Sequence, residues 1–121
     1  MAEITARRQG EIIQTLFQIL EGESEGLEAK DAIARVEDKM ELTEFEKSTF
    51  PNNPGVVRFP KILRFSTINS VKAGWLRKRS GIWALTDEGK VALHTFPDAE
   101  ALSRSRDAST SSGRPASRRR N

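Results

Sequence analysis

Between residues 58 and 89 the hydrophobic pattern changes its period, and that change restricts the fold more than any other feature of the chain. From Arg58 to Ala73, the residues Phe59, Ile62, Leu63, Ser66, Ser70 and Ala73 fall on one face when placed at helical steps. Pro60 lies in the first turn, where a missing N–H costs nothing, and Gly74 closes the segment. Two strand-like runs follow, Trp75-Leu76-Arg77-Lys78-Arg79 and Ile82-Trp83-Ala84-Leu85-Thr86, split by Ser80-Gly81. A Ser-Gly pair between such runs joins them as a hairpin. A helix and a hairpin cannot bury their apolar sides alone, so the rest of the chain must supply the second layer.

The N-terminal half supplies it. Residues 3–21 predict a helix with Ile12, Ile13, Leu16, Phe17, Ile19 and Leu20 in one stripe, Thr5 as cap and Gly22 as stop. Gly10 weakens its first turns. The glycine- and glutamate-rich stretch 21–28 reads as an exposed turn. A second helix spans about 28–40, with Ala29, Ala32, Ile33, Val36 and Met40 on a shared face. Thr43 stands three residues before Glu46, the spacing of a capping box, and starts a short helix. Pro51-Asn52-Asn53-Pro54-Gly55 ends it as a loop. Thr86 or Asp87 caps a last short helix running to Leu93. In the helix from Arg58, the first half is amphipathic and basic, while Phe65, Ile68 and Val71 make the second half look enclosed. Trp75 and Trp83 are expected in the core. The order helix, helix, short helix, basic helix, hairpin, short helix is mainly α with a small β-hairpin, a winged helix-turn-helix. It is assigned to residues 1–102. Residues 103–121, rich in Ser and Arg and without periodicity, are expected to be a disordered basic tail.

Charge is segregated along this order. Residues 1–50 carry six Lys/Arg against twelve Asp/Glu, whereas residues 58–79 carry Arg58, Lys61, Arg64, Lys72, Arg77, Lys78 and Arg79 and no acid. Residues 103–121 carry six Arg and one Asp. A basic stripe on a recognition-type helix and a wing points to duplex DNA. Arg64 is the candidate for a base edge or inner phosphate, with Thr67 and Asn69 as further polar candidates. Arg58 and Lys61 are candidates for phosphate, and Arg77, Lys78 and Arg79 for the backbone or minor groove. The other readings are a winged helix that binds protein through its acidic faces, and a small transcriptional regulator.

From about residue 10 to residue 95 the chain also resembles a known family. The features are Leu42-Thr43-Glu44 with Glu46, Pro51, Arg58-Phe59, Arg64-Phe65-Ser66, Lys72-Ala73-Gly74-Trp75-Leu76 and Arg79-Ser80-Gly81-Ile82-Trp83-Ala84-Leu85-Thr86-Asp87-Glu88-Gly89. They are similar to the N-terminal winged-helix domain of Mrr-type restriction-system proteins. The resemblance implies DNA binding and a nuclease as downstream domain or partner subunit; this sequence runs instead into the Ser/Arg-rich stretch.

No catalytic machinery is expected in the chain itself. Glu88-Gly89-Lys90 looks like the end of a nuclease motif, but the carboxylate such a site needs on a preceding strand is missing, and capping accounts for Asp87 and Glu88. With no cysteine and His94 the single histidine, neither a metal cluster nor a histidine-based triad can be assembled, and no cofactor is expected. No apolar run is long enough to span a membrane, which makes a cytoplasmic, nucleoid-associated protein the expectation.

Overall fold

The structure, a computed structural model, describes residues 5–111. Helix α1 (Ala6–Glu21) is capped by the Thr5 hydroxyl, which accepts from the Arg8 amide, and it buries Ile12, Ile13, Leu16, Phe17 and Leu20. A two-residue strand β1 (Leu27–Glu28) leads directly into α2 (Ala29–Lys39), whose Ala32, Ile33 and Val36 close over the same core. Helix α3 (Glu44–Lys47) opens with the expected capping box: the Thr43 hydroxyl accepts from the Glu46 amide, and the Glu46 carboxylate accepts from the Thr43 amide.

Next comes a small hairpin, β2 (Thr49–Phe50) and β3 (Asn53–Val57), where the sequence suggested only a loop. Prolines at 51 and 54 disguise it: Pro51 lies in the turn, and Pro54 within β3 has no N–H to donate, which argues against a strand. Helix α4 (Arg58–Lys72) then buries Phe59, Leu63, Ser66, Thr67 and Ser70. Strands β4 (Leu76–Arg79) and β5 (Ile82–Leu85) form the expected hairpin, with positive φ at both Ser80 and Gly81, the geometry of a tight two-residue turn. The sheet order is β1-β5-β4, all antiparallel. The stretch 21–28, read as an exposed turn, thus contributes an edge strand. A two-residue strand has no signature of its own, since its partner defines it.

Helix α5 (Asp87–Thr95) is capped by Thr86, whose hydroxyl accepts from the Gly89 amide. A Cβ on Gly89 would lie 2.2 Å from the Trp75 carbonyl oxygen, so this turn of helix touches the start of the hairpin. Trp75 and Trp83 are both buried, as expected, and Trp75 meets Phe17 edge to face with centroids 6.4 Å apart. The fold is therefore mainly helical with small antiparallel sheets, and the hairpin occupies the position of a wing.

One boundary needs correction. Residues 103–111, expected to lack structure, continue a helix α6 (Ala99–Ser111) that lies along α1 and reaches α4. Leu102, Ser103 and Arg106 are buried. Gly10 permits the approach, since a Cβ there would sit 1.8 Å from the Ala99 carbonyl oxygen. The remaining tail residues, from 112 on, lie outside the described residues.

Candidate nucleic-acid interface

Helix α4 is held from three sides, and each contact fixes where its outward cations stand. At its start, the Arg58 guanidinium lies over the rings of Phe45, at 4.5 Å, and Phe50, at 4.9 Å, while its Nε donates to the Ser48 hydroxyl at 3.0 Å. This stack ties α3, the β2–β3 hairpin and α4 together. On the flank, buried Arg106 of α6 donates to the Ser66 carbonyl oxygen at 3.1 Å and to Gln9 Oε1 at 2.9 Å, bridging α4 to α1. On the wing side, Lys78 Nζ donates to Thr67 Oγ1 at 2.6 Å.

The β4–β5 register explains how Lys78 comes to point inward. Lys78 pairs with Trp83 and Arg79 with Ile82. Because side chains alternate along a strand, Lys78 shares the inner face with Trp83, while Arg77 and Arg79 stand on the outer face. The Lys78 ammonium lies 4.9 Å from the Trp83 ring centre, and the Arg64 guanidinium 5.8 Å from it. Burial, followed by the nearby Arg64 charge, lowers the Lys78 pKa. The Lys78 residue nonetheless remains exposed at the edge of the hairpin.

The sequence candidates consequently separate. Lys61, Arg64 and Lys78 come together on one open groove of about 700 Å³. Lys61 and Arg64 are exposed, and Lys61 Nζ lies 5.9 Å from the Phe50 ring. Lys72 is exposed at the end of α4. Arg58 borders the groove but is engaged in its aromatic stack. Arg77 and Arg79 face solvent from the opposite side of the hairpin, so the three wing cations do not act as one cluster.

Two candidates are corrected. Thr67 is fully buried, its hydroxyl donating to the Arg64 carbonyl oxygen at 2.6 Å and accepting from Lys78; it supports the outward face of α4 from behind. Asn69 is half-buried on the α6 flank and donates to Asp107 Oδ1 at 3.2 Å, away from the outward face. Both sit at polar positions on the packed side of α4, a distinction that polarity alone does not reveal.

A third correction concerns the second half of α4. Phe65, Ile68 and Val71, expected to be enclosed, are 70%, 44% and 38% exposed. Phe65 and Ile68 line the groove beside the three cations. The spacing of Lys61, Phe65, Ile68 and Lys72 (four, three and four residues) carries this information, because it is the spacing of one helical stripe. Among the described residues, no group of three or more His, Asp or Glu converges as a metal site. No helix there is long and apolar enough to cross a membrane.

A helical body, a three-stranded antiparallel sheet ending in a hairpin, and a helix with outward cations are compatible with a winged-helix fold. The chain belongs to the Mrr N-terminal domain family, which matches residues 10–95, and this places it among domains associated with restriction systems. No curated protein and no solved structure matches it significantly. Helix α6 lies beyond the matched span.

Proposed function

We infer that this domain binds duplex DNA, with α4 entering the major groove, and that it serves as the DNA-recruiting module of a restriction system without catalysing cleavage itself. The observation that carries this reading is the convergence of Lys61, Arg64 and Lys78 on one open groove, within a 22-residue stretch that holds seven cations and no acid. The acids concentrate in the first half of the chain, so the two ends of the charge distribution are separated by sequence segment. A surface of this kind suits a polyanion, because every phosphate approached finds a cation and no competing carboxylate. A helix about 10–12 Å across fits a groove about 12 Å wide.

Within this reading the residues divide by reach. Lys61, Arg64 and Lys72 project from α4 and contact phosphates or base edges. Lys78, held beside Trp83, gains a phosphate partner when the duplex closes over it. Phosphates set affinity, whereas base edges set preference. A nuclease, as a further domain or a separate subunit, is the partner this role calls for.

The test is duplex binding by the Lys61→Ala/Arg64→Ala double variant, followed by fluorescence anisotropy. Both side chains are exposed, so the thermal transition should stay where it is. Affinity should fall about 10-fold or more, at roughly 1 kcal/mol for each charge-assisted contact. Unchanged affinity in a folded variant would refute the assignment of this groove.

A further inference from the structure

Phe65 and Ile68 stand in the middle of the outward stripe of α4, between Lys61 on one side and Lys72 on the other, with Arg64 and Lys78 along the edge. The Phe65 ring, 70% exposed among these cations, lies outside the hydrophobic core. The core side of the same helix is already filled by Phe59, Leu63, Ser66 and Ser70.

We propose that Phe65 and Ile68 read the 5-methyl groups of thymines in the major groove, so that the domain prefers duplex rich in A·T pairs. This rests on the duplex-binding reading above and adds a preference to it. The argument is one of matching chemistry. Whatever covers this ridge must bring small apolar groups to its centre and negative charge to its rim. A second copy docking through the same face brings the opposite, since two such faces meeting would oppose cation to cation. The stretch beyond Ser111 brings Arg114, Arg118, Arg119 and Arg120 without an acid, which is again like charge. A duplex major groove meets both demands. Phosphates line its two edges, and the thymine methyl is the apolar group on its floor. Apolar side chains contact that methyl, and a wrong pair then leaves a polar edge facing them. Lys61 and Arg64 lie within one turn of Phe65, close enough to hold phosphates while the ring reaches the floor.

The test compares alternating poly(dA-dT) with alternating poly(dA-dU). The two present the same phosphates and the same hydrogen-bonding edges, and differ in the methyl group. Every register offers methyls, so no binding site need be known beforehand. The wild-type chain should bind the thymine polymer about fourfold more tightly for each methyl contacted, in keeping with the transfer of one methyl-sized group out of water. Phe65→Ala/Ile68→Ala, checked for fold by circular dichroism, should bind both polymers equally and about as well as wild type binds the uracil polymer. Equal wild-type affinity for the two polymers, with steep salt dependence retained, would overturn methyl reading and leave duplex binding intact. A preference that persists in the double variant would overturn it as well, because the preference would then come from groove shape. Absence of binding to either polymer would defeat the duplex reading along with this one. Concentration-dependent dimerisation without DNA, abolished by the same variant, would instead assign the ridge to a second copy and overturn the proposal.

Discussion

Glu46 is fully buried and still charged, and its neighbours explain how. Burial on its own would raise the pKa of this carboxyl. Hydrogen bonds from Arg8, with the Thr43 amide adding to them, outweigh burial and hold it below its ordinary value. The Arg8 guanidinium grips both carboxylate oxygens at 2.7 Å and also donates to Glu11 Oε1 at 2.9 Å and to the Glu41 carbonyl oxygen at 2.9 Å. Its own pKa is raised in return, chiefly by Glu46. The pair pins α3 to α1 and so fixes where the β2–β3 hairpin and α4 begin. Glu46→Gln should lower stability by about 2–3 kcal/mol at neutral pH, because it leaves a partly buried guanidinium with Glu11 as its remaining carboxylate partner. The carboxylate's pKa is depressed in the folded state, so the stability it contributes is complete above the unfolded value of about 4.3 and disappears as pH falls through the lower folded value. Urea unfolding of both proteins from pH 7 downward should show the gap between them closing below about pH 4. A gap that stays constant to the lowest pH would show that Glu46 acts through shape alone. At this scale the sequence was partly legible. The Thr43–Glu46 capping box could be read from spacing, but Arg8 lies 38 residues away and nothing local announces the pairing.

Among the elements, α6 was the least visible in advance and has the clearest structural consequence. Its apolar content is thin: Leu102 is the one large hydrophobic side chain it buries, and its other anchors are alanines, Ser103 and Arg106. Composition therefore assigned its residues from 103 on to the tail. Arg106 turns that reading around, since a guanidinium 2% exposed is satisfied by Gln9, the Ser66 carbonyl and Asp107 rather than by water. The α4 core face and the β4–β5 hairpin, by contrast, were legible because their periodicities are strong and their turn chemistry is specific. The β2–β3 hairpin was not, because its prolines mask it. The place of α6 can be checked through Gly10. Gly10→Ala introduces a methyl group 1.8 Å from the Ala99 carbonyl oxygen. That cannot be relieved without moving one helix off the other, and overpacking of this kind costs about 1–3 kcal/mol. Differential scanning calorimetry should therefore show a lower melting temperature, although alanine is the better helix former. A melting temperature equal to or above wild type would mean that α6 does not rest on α1 as described.

Across the whole molecule, the deciding property is that charge of one sign gathers on one side of one helix. The stripe of seven cations was plain in the sequence. Its division was not: Arg58 is held in an aromatic stack, Lys78 is tied to Thr67 on the helix-facing side of the hairpin, and Arg77 and Arg79 face away. What remains on the outward side of α4 is Lys61, Arg64 and Lys72, with Lys78 at the edge and an apolar ridge between. Strand register and the buried Thr67 hydroxyl produce this arrangement, and both are tertiary facts. The most direct test of the account is the equilibrium affinity of the full chain for duplex DNA between 50 and about 200 mM salt. Neutralising three or four phosphates releases counterions, so log affinity should fall linearly with log salt at a slope of about −3, and the slope should become shallower in Lys61→Ala/Arg64→Ala. A flat salt dependence, or a slope indifferent to those two residues, would contradict it.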